Sequence, residues 1–454
     1  MHRDEPVGYE PVSVKAVLAE MKDTAELLID LSYSAVLHGS PDLAREVLAL
    51  EARMDVLQLQ ARMSVMMAAR SPEDVEELAP VLGMIGAAEK VSDAAGDIAK
   101  IVLEEVGLPD AMRAALPEAV EKLVRVLVAN DSPYRDRTLA DNNIETETGV
   151  RVIAVRRDQA TGKARWITNP DRETELQAGD TLILRGFEEG LREVYEAAAG
   201  EPYEAPAAPD PAVEDLERAV DAIVLMKNMS ELAVDLAYGA VLFDSRGVAE
   251  EVIELEAEVD ALKSRFEAWT LRAAARVDDP VSLRGLVHLA SATEVISDAA
   301  VEISEGVLRG LDTHPVVAEA VEESDEVIVR LAVADGSELA GATLGDRAVK
   351  TETGMRVIAV RRRDEADGDE GAEAGDGKAG ATSAGRSAAG AGGAGDWVGG
   401  VGGTGGATED GEWVVSPGAT TRLGAGDVVV AKGTRAGAER LSALAGVPEE
   451  FDVD

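Results

Sequence analysis

From Val14 to Val106, apolar residues recur at three- and four-residue steps, the spacing that gathers them on one face of an α-helix. Val14, Leu18, Met21, Ala25, Leu28 and Ala35 make the first stripe, which reads as the seam of an antiparallel, coiled-coil-like helix pair. Ser40-Pro41 predicts the next helix start, with Ser as N-cap and Pro at the first helical position. Leu43, Val47, Leu50, Met54 and Leu57 carry its stripe. Ser71-Pro72-Glu73-Asp74 repeats the signal, with Asp74 placed as the acidic member of a capping-box-like start. The third stripe runs through Leu82, Ile85, Val91, Ile98 and Val102 until Gly107 and Pro109 stop it. Beyond residue 115 the period falls to two. LVRVLVAND (123–131), VRVIAVRR (150–157), WITNP (166–170) and DTLILRG (180–186) predict strands, and FEEGLREVYEAA (187–198) predicts a closing helix.

The whole pattern then starts again. TETGVRVIAVRR (146–157) returns as TETGMRVIAVRR (351–362), one substitution in twelve positions at an offset of 205. The same offset pairs Met21 with Met226, Asp30 with Asp235 and Asp55 with Asp260. Past residue 362 the offset is 247, so that Trp166 meets Trp413 and Gly179-Asp180 meets Gly426-Asp427. The chain is a tandem duplication, with an insertion of 42 residues (247 minus 205) in the second copy. The expected architecture is α+β multidomain, two three-helix antiparallel bundles alternating with two small α+β domains. The boundaries are bundle 12–110, α+β domain 115–199, linker 200–212, bundle 213–312 and α+β domain 315–447. Seventeen of the 44 glycines fall between Asp364 and Gly411, so the insertion at 364–411 is expected to be disordered.

The net charge of −43 argues against nucleic acid, which needs a basic surface to release counterions, and against an anionic membrane leaflet. Acids spread over every domain, with Arg outnumbering Lys 33 to 11, suit a protein held soluble in a very salty, halophilic cytoplasm. The absence of cysteine removes thiolate chemistry and Cys-based metal sites, and the four histidines fall into no ligand spacing. No apolar run is long enough to span a membrane and the start is not a signal peptide, so a cytoplasmic protein is expected.

Candidate chemistry lies in the helices. Glu51 and Asp55 on the second helix, and Glu89 and Asp93 on the third, are spaced i,i+4, which puts each pair on one helix face. Asp97 extends the third-helix row. The second copy keeps Glu256, Asp260, Glu294 and Asp298, with Glu302 in place of Asp97. Two such faces meeting would supply hard oxygen ligands for a divalent metal ion. Solvated helix faces are the competing reading, because with 87 acids in 454 residues such pairs arise about 17 times by chance.

LAREVLALEARMD (43–55) with AAEKVSDAAGDIAK (87–100), and VAEEVIELEAEVD (248–260) with SATEVISDAAVEISE (291–305), resemble the PhoU family of helical bundles. The resemblance implies metal clusters on the paired acidic motifs. Ser92 and Ser297 stand where that family usually has Gly. The second kind of domain looks like the TrkA-C (RCK C-terminal) domain of potassium channel and transporter regulators. That likeness rests on Thr138-Leu139 and Thr343-Leu344, the Gly before each VIAVRR strand, and the Gly-Asp turns at 179–180 and 426–427. It implies pairing, either within the chain or in a homodimer, and a small anionic ligand such as a cyclic dinucleotide. Arg156, Arg157, Arg361 and Arg362 are the clustered cations available for it. No GxGxxG stands at a strand–helix junction, so no nucleotide cofactor is expected.

These readings converge on a soluble regulatory subunit of a cation channel or transporter, with potassium the leading ion, peripheral at the membrane through its partner. A PhoU-like regulator of phosphate uptake is the alternative. A metal-dependent enzyme is disfavoured, because no nucleophile–base pair accompanies the carboxylates.

Overall fold

The computed structural model describes residues 13–109, 112, 122–158, 164–203, 214–311, 315–323, 326–363 and 413–447. The insertion expected at 364–411 and the linker from residue 204 onward lie outside the described residues, as does the Asp74 side chain expected to cap the third helix.

Three long helices open the chain: α1 (Val14–His38), α2 (Pro41–Ala68) and α3 (Pro72–Leu103). Gly39 ends α1 in the left-handed conformation at φ 54°. Ser40 Oγ then accepts from the Leu43 N–H at 3.3 Å, with Pro41 at the first helical position, so local chemistry sets this turn. The first α+β domain contains β1 (Lys122–Leu127), β2 (Arg137–Thr138), β3 (Arg151–Asp158), β4 (Ala164–Thr168), β5 (Glu175–Leu176), β6 (Thr181–Gly186) and α4 (Glu188–Ala199). The second repeat supplies α5 (Glu214–Leu242), α6 (Arg246–Ala274), α7 (Arg284–Leu308) and a short α8 (Pro315–Glu323). It closes with β7 (Val327–Ala332), β8 (Arg356–Arg361), β9 (Trp413–Val415), β10 (Val428–Gly433) and α9 (Arg435–Ala445). α8 stands where the sequence reading placed only the opening of the α+β domain. At nine residues it is too short to announce itself by periodicity.

The two four-stranded sheets share one topology. Their orders are β1-β6-β3-β4 and β7-β10-β8-β9, antiparallel throughout. Each also carries a bulge at the same place: the register steps from Val152 to Ala154 in one sheet and from Ala359 to Val357 in the other, leaving Ile153 and Ile358 unpaired. Both isoleucines are buried in the core shared with the helices, whereas Val152, Val155, Val357 and Val360 pack on the opposite side with α4 or α9.

Along the chain, bundle and α+β domain alternate; in space they segregate into layers. α3 packs on α7, and one hydrophobic core runs through all six long helices. Tyr33 of α1 lies 2.6 Å from Thr293 Oγ1 of α7, Ser230 Oγ of α5 donates to the Thr293 carbonyl at 3.1 Å, and the Gly285 N–H donates to the Gly107 carbonyl at 2.8 Å. A pseudo-two-fold axis relates the halves. Lys22 sits 5.4 Å from the ring centroid of Tyr238, and its counterpart Lys227 sits 5.1 Å from that of Tyr33. Both sheets lean on this helical layer and meet each other at the turns before β3 and β8, where a Cβ on Gly149 would lie 3.4 Å from the Gly354 Cα. Both glycines have positive φ, 66° and 72°, so they satisfy a backbone conformation and a close approach together.

Candidate functional site

The carboxylate rows lie on facing helices in each half, α2 with α3 and α6 with α7. In the second repeat Glu256, Asp260 and Asp298 converge, each offering an oxygen within 4.8 Å of the others. Burial pushes the Glu256 carboxyl up, and Asp260, Asp298 and Glu294 push it further. Asp298 is likewise raised by burial and then by Glu294 and Asp260. Such crowding of like charge is what a divalent cation would relieve, and an all-oxygen set suits a hard or borderline metal. Glu294 is engaged by Lys263, and Glu302 by Lys90 of the other bundle.

The first repeat holds the corresponding acids but disposes them differently. Asp97 is taken by Lys100 at 2.7 Å, and Arg62 lies 3.8 Å from Glu89. The Glu51 carboxylate occupies the space that a Cβ at Gly96 would need. Burial raises Glu51, with Asp93, Asp55 and Asp97 adding to the rise and Lys100 opposing it. Among the described residues only the second repeat brings three carboxylates within mutual ligand distance.

The four arginines singled out from the sequence divide. Arg157 donates to both oxygens of Asp180, at 2.8 and 2.6 Å, while Asp180 also accepts from the Gln177 N–H at 2.8 Å. Arg362 donates to one oxygen of Asp427 at 2.7 Å, and Asp427 accepts from the Gly424 N–H at 2.8 Å. Arg157 and Arg362 therefore secure the Gly-Asp turns, in which Gly179 and Gly426 hold φ of 88° and 89°. Arg156 pairs with Asp158 at 2.9 Å, and Arg361 ends β8 opposite Trp413.

A second constellation was invisible in the sequence. Where the two sheets meet the helices, a cavity of about 40 Å³ is lined by Arg151, Arg185, Arg356, Lys432, Asp235 and Glu326, among others. Arg185 donates to Asp30 on α1 at 2.7 Å and to Glu326. Its repeat counterpart Lys432 donates to Asp235 on α5 at 2.6 Å and to Glu26 on α1 at 3.2 Å, and stands 3.1 Å from Glu326. All are buried. Burial alone would raise Glu326, yet Arg185, Lys432 and Arg151 hold it well below the usual carboxylate range. Burial would lower Lys432, yet Asp235, Glu26 and Glu326 keep it well above the usual range for lysine. Asp30 is raised to about 6 by burial, which outweighs Arg185. The one available signal was that Asp30 and Asp235 are acids inside apolar stripes at the same repeat position.

Residues 18–102 and 223–307 match the PhoU domain, and residues 123–199 match the TrkA-C domain. The chain carries two PhoU domains and a TrkA-C domain. The second α+β domain repeats the strand order of the first, so it is TrkA-C-like by structure. Among solved structures, PhoU from Pseudomonas aeruginosa is similar at 12% identity, covering 65% of this chain and 96% of that one, with a TM-score of 0.36. The GsuK RCK domain is similar at 13% identity over 72% of this chain and 63% of that one, with a TM-score of 0.16. The GsuK channel bound to NAD is similar at the same identity and TM-score, over 72% of this chain and 53% of that one. This chain thus spans less than two thirds of either GsuK structure. No curated protein matches the chain. The matched domains are regulatory rather than catalytic, and among the described residues no helix is long and apolar enough to cross a membrane.

Proposed function

We propose that this protein is a regulatory subunit of a membrane cation channel or transporter, with potassium as the leading ion, acting in the cytoplasm and reaching the membrane through its partner. Divalent metal on the helical layer and a small anionic ligand between the α+β domains are its inputs. The observation that supports this most is the central junction, in which Arg185 and Lys432, one from each sheet, are paired with acids of the helices. A ligand that alters either layer has a physical route to the other, which a sensor requires.

Glu256, Asp260 and Asp298 would hold the metal, with Glu294 and Glu302 beside them; Glu51, Asp55, Glu89, Asp93 and Asp97 form the first repeat's equivalent. For the anion, Arg151, Arg185, Arg356 and Lys432 line the cavity beside Asp235 and Glu326, whose place at the cations an incoming anion would take. A cavity of about 40 Å³ has room for about three water molecules. A ligand as large as a cyclic dinucleotide would therefore have to part the two domains, which is itself a conformational signal.

Regulation of phosphate uptake is the second reading. It is favoured by the two PhoU matches at 18–102 and 223–307, against the one TrkA-C match at 123–199. Deleting the gene and measuring both fluxes separates them. Altered potassium uptake with a membrane cation transporter recovered by pull-down is the expected result. Derepressed phosphate uptake with potassium flux untouched would replace the first reading by the second.

A further inference from the structure

We infer that Glu326 is an internal clasp, a single carboxylate that joins the two α+β domains through their buried cations, so that a change of charge in one domain is transmitted to the other. This goes beyond the sensing role and needs no ligand. Glu326 lies between α8 and β7 with 8% of its side chain exposed. One oxygen accepts from Arg185, at the end of β6 in the first domain, and lies 3.8 Å from Arg151 on β3. The other stands 3.1 Å from Lys432 on β10 in the second domain. Arg185 and Lys432 occupy the same repeat position on different sheets, and Glu326 is the acidic residue they share.

Each cation also pairs with acids of the helices: Asp30 for Arg185, Asp235 and Glu26 for Lys432. Glu326 alone among these acids belongs to an α+β domain. Buried charges tolerate few vacancies, since an ion that loses its partner away from water keeps its desolvation cost with nothing to offset it. Neutralising Lys432 therefore changes the field that Glu326 offers Arg185, and the reverse. Glu121, the counterpart of Glu326 in the first repeat, lies outside the described residues, so the clasp is assigned to Glu326 only.

Besides the clasp, the effect of Lys432 can reach the first sheet through the helices, α1 bearing both Glu26 and Asp30, or through the contact of Gly149 with Gly354. Amide hydrogen exchange on the full chain separates them. Lys432→Gln is expected to speed exchange in β1, β3 and β6 of the first domain about tenfold. In a Glu326→Gln background the same substitution should leave those strands unchanged relative to Glu326→Gln itself. Transmission of equal size in both backgrounds would assign the route to the helices or to the Gly149–Gly354 contact and overturn the clasp. Exchange confined to the second sheet in the parent chain would overturn it too. Should Glu326→Gln fail to fold, Arg185→Gln and Lys432→Gln form a double-mutant cycle in the parent: non-additive melting shifts support the clasp and additive shifts refute it.

Discussion

The two repeats hold acidic residues at the same helical positions, yet among the described residues only the second draws three of them together. Four substitutions at equivalent positions account for this. Lys100 in the first repeat is Glu305 in the second, Gln58 is Lys263, Arg62 is Glu267 and Gly96 is Val301. In the first repeat, cations are set among the acids: Lys100 takes Asp97, Arg62 approaches Glu89, and Gly96 lets Glu51 fold down onto α3. In the second, the cation is displaced to one end, where Lys263 takes Glu294 and leaves Glu256, Asp260 and Asp298 facing one another. A ligand set is thus decided by its neighbours as much as by its ligands.

The largest expected effect tests whether the halves are equally locked to the helical layer. Lys432 is shared by Asp235, Glu26 and Glu326, whereas Arg185 is shared by Asp30 and Glu326. Removing one partner of a buried ionic group costs about 3–5 kcal/mol. Lys432→Ala and Arg185→Ala should therefore each lower the urea midpoint strongly, because each strands carboxylates at the junction of the sheets and the helices. A large loss from only one of the two would mean that the halves are locked to the helical layer unequally.

Metal content sharpens the comparison next. Alanine at Asp260 and Asp298 should remove most of the metal retained by protein purified without chelator, and alanine at Asp55 and Asp93 should remove less. Lys100→Glu, which gives the first repeat the residue of the second, should raise first-repeat binding about tenfold, an effect of about 1.4 kcal/mol. Indistinguishable losses from the two repeats, read by elemental analysis, would erase the distinction drawn from their neighbours.

A smaller effect concerns pH. His38 ends α1 in the first repeat, where Phe243 stands in the second. Burial, with Arg125 adding to it, lowers His38 to about 4. The unfolded chain therefore binds the proton more readily, and the stability this group contributes is lost as pH falls from about 6.5 towards 4. Asp30, raised to about 6, acts in the opposite sense, favouring the folded state as pH falls through about 6 towards its ordinary value. Comparing His38→Phe with the parent at each pH cancels Asp30. The variant should lose less stability on acidification through that window, and parallel curves would show that His38 is not held neutral. The smallest expected change is in melting temperature on shortening 364–411 to match the loop at 158–165, a few degrees at most, since closure entropy grows slowly with length. A large fall would show that the second repeat depends on its insertion.

The legibility of the molecule follows the range of the forces involved. Helix starts at Ser40-Pro41, the turns at Gly179-Asp180 and Gly426-Asp427, and the strands of both sheets were readable because periodicity, caps and positive-φ glycines act within a few residues. The acidic rows were readable as rows, since i,i+4 spacing is local. Arg157 and Arg362 were visible as clustered cations, but their partners Asp180 and Asp427 lie 23 and 65 residues away. That assignment needed the sheet to close.

The duplication and the kinds of domain were set by the chain alone. Only the tertiary structure decided that six helices share one core, that the sheets meet at Gly149 and Gly354, and that Glu26, Asp30, Asp235, Glu326, Arg185 and Lys432 converge. Glu26 and Lys432 are 406 residues apart. No local propensity relates positions so distant; they are brought together by the burial of apolar faces, and their charges then pair because buried ions cannot be left alone.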